Sequence, residues 1–125
     1  MSMHLTLSPL PKTWIFDLDG TILKHNGYKT EAGDRLLTGV KEFFSSISEN
    51  DMVIIITSRS EEFRYETESV LRDSGIRWDK IIWNAPCGER ILFNDQKESG
   101  LKTAYAVCFA RDQFPKIEME IDTDL

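Results

Sequence analysis

Strand-forming and helix-forming patterns alternate along the chain. Runs rich in β-branched and aromatic residues predict five strands, over residues 14–16, 52–57, 80–84, 90–95 and 103–109. The second run is apolar at nearly every position, which is typical of a strand buried on both faces of a parallel sheet. Strands separated by helical patterns indicate an α/β domain.

Two amphipathic stretches predict the helices. Apolar residues recur at helical spacing in the first, which predicts a helix over residues 38–49 with Thr38 as its N-cap. The second helix is predicted over residues 60–74, and either Ser58 or Ser60 is placed to cap it. Acidic residues in its first turn suit the positive end of the helix dipole.

The outer segments of the sequence are less regular. Residues 4–7 predict a short edge strand, and neither a signal peptide nor a membrane span is predicted. Residues 117–122 alternate apolar and acidic side chains. This alternation predicts either an edge strand or pairing with another subunit, so a homo-oligomer is a candidate assembly.

Composition restricts the class of protein. The 125 residues are enough for one domain, predicted over residues 1–125, and a hydrophobic fraction of 41% can fill its core. A formal net charge of -6 argues against a nucleic acid or an anionic membrane as the main partner. The two cysteines are too few for a disulfide framework, which favours a reduced, cytoplasmic setting.

Candidate chemistry begins where the first strand of the apolar series ends. Asp17 and Asp19 follow this strand two positions apart, and Gly20 then lets the backbone turn away. Two carboxylates held close together repel unless a proton or a divalent cation lies between them. Mg²⁺ is a hard cation that takes oxygen ligands, so it is the predicted cofactor.

The stretch from Asp17 to Thr21, D-L-D-G-T, resembles the first motif of the haloacid dehalogenase superfamily of phosphohydrolases. The resemblance implies that Asp17 is a nucleophile that becomes an aspartyl phosphate. It also implies that Asp19 is a general acid and base, kept protonated by its acidic neighbours. The fold implied is a three-layer, Rossmann-like domain with a mostly parallel five-stranded sheet, helices on both faces and no cap domain.

The later strands resemble the remaining motifs of that family. A strand that ends in Thr57 resembles the second motif, which implies that Thr57 binds the phosphoryl group, with Ser58 beside it. Arg59 is either a substrate contact or a surface residue. The strand that ends in Asp95 resembles the last motif, whose acid completes a Mg²⁺ site with Asp17 and with Asp19, the latter through its carbonyl.

Two features depart from the family pattern. The second acid of the last motif is missing, so either Glu98 or water would complete the metal's coordination. The connection between the third and fourth strands is too short for a parallel crossover with a helix, where the family's phosphate-binding lysine normally lies. Lys97 is the favoured replacement, and Lys102 and Lys80 are the alternatives.

The predicted function is Mg²⁺-dependent hydrolysis of a phosphate monoester through an aspartyl phosphate. The protein would be a phosphoric monoester hydrolase of the haloacid dehalogenase type, acting on a small phosphorylated molecule, with a sugar phosphate as one candidate. Residues 21–34 form a polar loop rooted beside the acids that could act as a flap over the site. One alternative is a non-catalytic protein of the same fold that binds a phosphorylated ligand. A less favoured one is a receiver-like signalling domain that accepts a phosphoryl group.

Overall fold

The computed structural model describes residues 2–125, so Met1, the first residue of the predicted domain, lies outside it. Short turns of 3-10 helix lie at Gly27–Lys29 and Glu61–Phe63. The regular elements, in chain order, are β1 (Ser2–Leu7), β2 (Thr13–Asp17), α1 (Val40–Ser45), β3 (Met52–Ile56), α2 (Arg64–Asp73), β4 (Lys80–Ile82) and β5 (Lys116–Ile121). Every strand pair is parallel, which confirms an α/β fold with parallel sheets.

The larger sheet has three strands in the order β2-β3-β4. Trp14 and Phe16 of β2 pair in register with Val53 and Ile55 of β3, so these four side chains lie on one face. The helices cover this face, because Phe44 of α1 stacks on Phe16 with ring centroids 4.6 Å apart, and α2 adds buried apolar residues to the same core. The core therefore lies between one face of the sheet and both helices.

The opposite face of this sheet is less well covered. Ile15 in the middle of β2 is 49% exposed, and Ile82 of β4 is also exposed. The register places Ile15, Ile54 and Lys80 in one row on this face. A third layer of helices is therefore absent from the part of the chain that the structure describes, whereas the sequence predicts helices on both faces.

A second sheet joins two segments that are distant in sequence. β1 pairs in parallel with β5, from Ser2 opposite Lys116 to Leu7 opposite Ile121. The predicted edge strands at 4–7 and 117–122 therefore form and pair with each other, while the role of the latter in subunit contacts stays a prediction. Ile117 and Met119 pack against the main core, and Phe114 lies 5.5 Å from Phe43 between ring centroids.

The predicted fourth and fifth strands are not formed. Residues 90–95 and 103–109 have no regular structure, and Phe93 is 90% exposed. Cys108, expected as a small core residue, is also exposed. The short connection over residues 83–89 is the physical reason, because a parallel crossover needs roughly a dozen residues or more. In residues 2–125, sheets of three and two strands thus replace the predicted five-stranded sheet.

The helix ends also refine the predictions. The first helix is shorter than the predicted 38–49, and its N-cap is Gly39, with φ of 91° and no side-chain cap, rather than Thr38. The second helix is also shorter than the predicted 60–74, because α2 begins at Arg64 with Phe63 as its N-cap and no side-chain cap. The Ser60 hydroxyl, one of the two predicted caps, accepts a hydrogen bond from the Glu62 amide and so caps the 3-10 turn Glu61–Phe63 that precedes α2. No helix in residues 2–125 combines the length and apolar character needed to cross a membrane.

Candidate active site

The two acids of the first motif lie at the carboxyl end of β2. Asp17 is the last residue of the strand, and Leu18 after it is fully buried, which anchors the turn in the core. Gly20 has φ of 85°, a conformation that costs an L-residue energy, and a Cβ there would meet the Arg111 side chain at 3.0 Å. The chain then reverses through hydrogen bonds from Gly20 to Leu23 and from Leu23 back to Leu18.

Asp17 presents a carboxylate that is open to solvent and already paired. Its side chain is 38% exposed. The Thr21 hydroxyl donates to Oδ2 over 3.2 Å, and Arg90 Nη1 donates to Oδ1 over 3.2 Å. A carboxylate in this setting is accessible and next to a cation. These are the properties of a nucleophile that attacks an anionic phosphate.

Asp19 has a different environment. Both of its carboxylate oxygens accept hydrogen bonds from Arg59, Oδ2 from Nε over 3.0 Å and Oδ1 from Nη2 over 2.8 Å. Its side chain is mostly buried. A bidentate pair of this kind is typical of an ionised carboxylate. The neighbour that dominates Asp19 is therefore a cation, whereas the sequence predicts acidic neighbours that keep it protonated.

Arg59 is the centre of a buried polar cluster. Its side chain is 1% exposed, and its second carboxylate partner is Asp34, at 2.9 and 2.6 Å. The remaining donor reaches the Thr67 hydroxyl of α2 over 2.9 Å, and the Tyr28 ring lies 4.1 Å from the guanidinium carbon. The five N–H groups of arginine thus match five hydrogen bonds. The cluster ties the polar loop 21–34 to the ends of β2 and β3.

The charge state of Arg59 follows from this cluster. Burial by itself would lower the pKa of Arg59, but hydrogen bonds to Asp34 and Asp19, with their negative charges, outweigh it and raise the pKa above its usual value. Arg59 therefore stays cationic throughout the pH range of proteins. All of its donors face protein groups, and its predicted contact with substrate stays a prediction.

The predicted phosphate-binding residues lie at the end of β3 and beyond. Thr57 is buried, and its Oγ1 accepts a hydrogen bond from the Arg59 amide over 3.0 Å. It directly follows Ile56, which pairs in register with Asp17. Ser58 is exposed beside it. Lys97 is exposed in the segment without regular structure, where its amide bonds to the Leu101 carbonyl. The alternative lysines are exposed as well, Lys80 at the start of β4 and Lys102 over the Tyr105 ring.

The three-acid set predicted for Mg²⁺ is not assembled. Asp95 is exposed, and its carbonyl accepts a hydrogen bond from the Thr103 hydroxyl. Within residues 2–125 no three or more His, Cys, Asp or Glu side chains are grouped so that they could hold a metal ion. As arranged here, the residues around Asp17 do not fit a complete Mg²⁺ site. The metal role of Asp17, Asp19 and Asp95 stays a prediction.

Sequence reasoning missed three residues of this site. Arg90 begins the strand predicted over residues 90–95, but in the structure it follows the loop 85–89 and contacts Asp17. Asp34 and Thr67 carry no motif, and their contact with Arg59 joins residues that are 25 and 8 positions apart. The sequence contains one signal for this cluster. Arg59 follows the end of a predicted strand, and the polar loop 21–34 contains acidic residues with which it could pair.

Comparisons with family models, with curated proteins and with solved structures gave no match.

Proposed function

We propose that this protein hydrolyses phosphate monoesters through a covalent aspartyl phosphate on Asp17. The observation that carries the proposal is the accessible Asp17 carboxylate, 3.2 Å from the Arg90 guanidinium, with a second carboxylate two positions on at Asp19. A nucleophile, a cation for the phosphoryl oxygens and a base at one strand end are the groups that such a reaction needs.

The first step is attack by an Asp17 oxygen on phosphorus. The bond between phosphorus and the ester oxygen breaks, and the leaving group departs with the bonding electrons. Arg90 can turn from Asp17 to the equatorial phosphoryl oxygens, because both side chains are half-exposed. An arginine binds such oxygens in a bidentate manner. Arg90 would thus bind the phosphoryl group, the role predicted for Lys97 with Lys102 and Lys80 as alternatives.

The second step releases phosphate. A water oxygen attacks phosphorus, Asp19 accepts the proton from that water, and the bond to Asp17 breaks to regenerate its carboxylate. Both Asp19 oxygens act as acceptors in the contact with Arg59, and Asp19 is the carboxylate nearest in sequence to Asp17, so we assign it as the base of this step. Thr57, at the end of the adjacent strand, is the proposed hydrogen-bond partner of the phosphoryl group, together with Ser58.

A five-stranded, three-layer Rossmann-like sheet and the Mg²⁺ cofactor belong to the same proposal. β2 has a free edge, and the exposed apolar run 91–93 lies in the segment predicted as a strand. Asp95 would reach Asp17 only if residues 83–95 rearranged, because the connection 83–89 as it stands is too short for a parallel crossover. Asp17 and Asp95 would then be the acidic Mg²⁺ ligands, with water completing the coordination.

Acid-quench labelling tests this function. Native protein, Asp17→Asn and Asp19→Asn are mixed briefly with a ³²P-labelled aryl phosphate, with and without added Mg²⁺, and the labelled peptide is mapped. We expect label on Asp17 that accumulates in Asp19→Asn, because the water step is slowed, and no label in Asp17→Asn. Label on another aspartate, or none in any variant, would exclude the mechanism.

A second candidate function is binding of a phosphorylated ligand without turnover. One observation favours it, because cations pair with both acids, Arg90 with Asp17 and Arg59 with Asp19. A binder would take up inorganic phosphate in a calorimetric titration and lose this binding in Arg90→Gln, yet never acquire the covalent label. The receiver alternative lacks comparable support, since the middle strand β3 is followed by Thr57 rather than by an aspartate.

A further inference from the structure

A further arginine lies across the turn that follows the two acids. A Cβ built on Gly20 would lie 3.0 Å from Cγ of Arg111, 3.7 Å from Cδ and 3.8 Å from Nε, so the side chain runs along this glycine as far as its guanidinium. The absence of a Cβ at Gly20 leaves room for this close approach. Thr21, the next residue, donates a hydrogen bond to Asp17. Arg111 therefore lies at the same strand end as the proposed nucleophile.

The backbone beside Arg111 is anchored on the same turn. The amide of Asp112 donates to the Gly20 carbonyl over 2.9 Å, and the Asp112 carboxylate accepts from the His25 amide over 2.7 Å. Asp112 has φ of 65°, a left-handed conformation that aspartate adopts more readily than most residues. Two hydrogen bonds thus hold this segment against the acid turn, so the base of the Arg111 side chain has a fixed position.

The guanidinium of Arg111 is available to a ligand. The residue is exposed, and within residues 2–125 its guanidinium forms neither an ion pair nor a hydrogen bond with the protein. All donors of Arg59, by contrast, face protein groups, and Arg90 is paired with Asp17. An arginine without a protein partner presents a planar fork of donors that fits a carboxylate or a phosphate.

We propose, on the basis of the phosphatase function above, that Arg111 binds a second anionic group of the substrate. Arg90 is assigned to the phosphoryl group that Asp17 attacks, so Arg111 is left for a carboxylate or a second phosphate on the leaving group. The acids of the turn repel such an anion, but Arg59 offsets the charge of Asp19. The preferred substrates would be phosphate esters with two anionic groups, and phosphate esters of uncharged alcohols would bind more weakly.

A pair of substrates that differ by one charge tests the proposal. Carboxyphenyl phosphate and carbamoylphenyl phosphate have nearly the same size, and the ortho, meta and para isomers place the second group at different distances from phosphorus. The carboxylate advantage is the ratio of kcat/KM for the carboxylate to kcat/KM for the amide. We expect native protein to show this advantage for at least one isomer, and Arg111→Gln to reduce it roughly five- to tenfold. Differences in leaving-group reactivity cancel, because every variant is compared on the same two substrates.

Two further variants show whether the cation is the cause. Arg111→Lys keeps the charge without the planar fork, so it should keep part of the advantage. Arg72→Gln removes an exposed arginine from the last turn of α2, which leads to the amino end of β4 and away from the acids, and should leave the advantage at its native value. No advantage for any isomer in native protein, an unchanged advantage in Arg111→Gln or an equal loss in Arg72→Gln would overturn the proposal.

A third substrate identifies the second anion. Phenylene bisphosphate carries a second phosphate where the first substrate carries a carboxylate. If Arg111→Gln loses more kcat/KM on the bisphosphate than on the carboxylate, the contact is made to a phosphate, and the reverse order assigns it to a carboxylate. Equal kcat/KM values of native protein and Arg111→Gln on both substrates would overturn the contact.

Calorimetry separates failure of this proposal from failure of the phosphatase function. If no substrate turns over and Asp17 never carries label, the phosphatase function fails, and the Kd values of the carboxylate and the amide are compared instead. A carboxylate advantage in Kd that is lost in Arg111→Gln would still assign the contact, whereas equal Kd values would overturn it. Turnover with equal kcat/KM for both esters would overturn the contact alone.

Discussion

Residues 13–82 and residues 83–109 have similar amounts of strand-forming sequence and very different structures. The first region forms three paired strands and two helices around one core, while the second has no regular element. The difference lies in the connections. A helix separates each pair of strands in the first region, whereas residues 83–89 are too few to return a chain to a parallel edge with a helix on the way. A strand pattern becomes a strand only where the chain can reach a partner.

The candidate site is divided in the same way. Asp17, Asp19, Thr57 and Arg59 belong to the ordered region, whereas Arg90, Asp95 and Lys97 belong to the other. The ordered region supplies fixed geometry, as at Arg59, and the second region contributes the half-exposed contact from Arg90. Matched substitutions in the two regions test this division, because they compare the loss of stability at a fixed residue with the loss at an exposed one.

The largest expected effect on stability is at Arg59. Arg59→Ala removes the partner of two mostly buried carboxylates and should lower the free energy of unfolding by about 3–5 kcal/mol. Arg90→Ala removes a half-exposed pair and should cost at most about 1 kcal/mol. Urea denaturation of both variants measures the contrast. Equal losses of unfolding free energy would mean that the pair of Arg90 with Asp17 contributes as much to stability as the buried pairs of Arg59.

The effect should be the same at pH 6 and pH 8. Because the folded-state pKa of Arg59 is raised, its contribution is fully present below the ordinary pKa of arginine. It is lost only as the pH rises through the raised value.

Two phenylalanines give the next contrast. Phe44 is buried against Phe16, so Phe44→Ala should cost about 3 kcal/mol, whereas Phe93 is 90% exposed and Phe93→Ala should cost less than about 0.5 kcal/mol. Thermal or urea unfolding reports both values. A loss of more than about 1 kcal/mol in Phe93→Ala would instead support pairing of residues 90–95 with the free edge of β2.

The proposed Mg²⁺ site gives a smaller, conditional effect. If residues 90–95 carry Asp95 to the end of β2, Asp95→Asn should weaken Mg²⁺ binding roughly tenfold, about 1.4 kcal/mol, with little change in stability. Glu98→Gln is the matched control for the alternative ligand. Calorimetric titration with Mg²⁺ measures both, and an unchanged affinity in Asp95→Asn would show that this residue is not a ligand.

The smallest effect is expected at the 3-10 turn Glu61–Phe63 that precedes α2. The Ser60 hydroxyl caps this turn through a long hydrogen bond of 3.4 Å, so Ser60→Ala should cost about 0.5 kcal/mol. Ser58→Ala should cost nothing measurable, because Ser58 is exposed and has no capping role. A larger loss in Ser58→Ala would reverse the assignment of the cap.

These comparisons indicate what the sequence could predict. Side chains at the ends of parallel strands meet at one edge, so Asp17 and Thr57 could be assigned to one site from local patterns alone. The pairing of Arg59 with Asp19 and Asp34 could not, because it joins residues 40 and 25 positions apart and depends on how the loop folds back. The contact of Arg90 with Asp17 could not be predicted for the same reason, since it joins residues 73 positions apart.

The pairing of β1 with β5 has a consequence for the order of folding. This pair joins segments as far apart as His4 and Glu120, 116 positions along the chain. Closing so large a loop costs entropy before any contact repays it, and such non-local pairs slow folding. The sheet of β2, β3 and β4 is built from much shorter loops and can nucleate first. We therefore expect β1 and β5 to dock last, so destabilising changes in them should speed unfolding and leave the refolding rate almost unchanged.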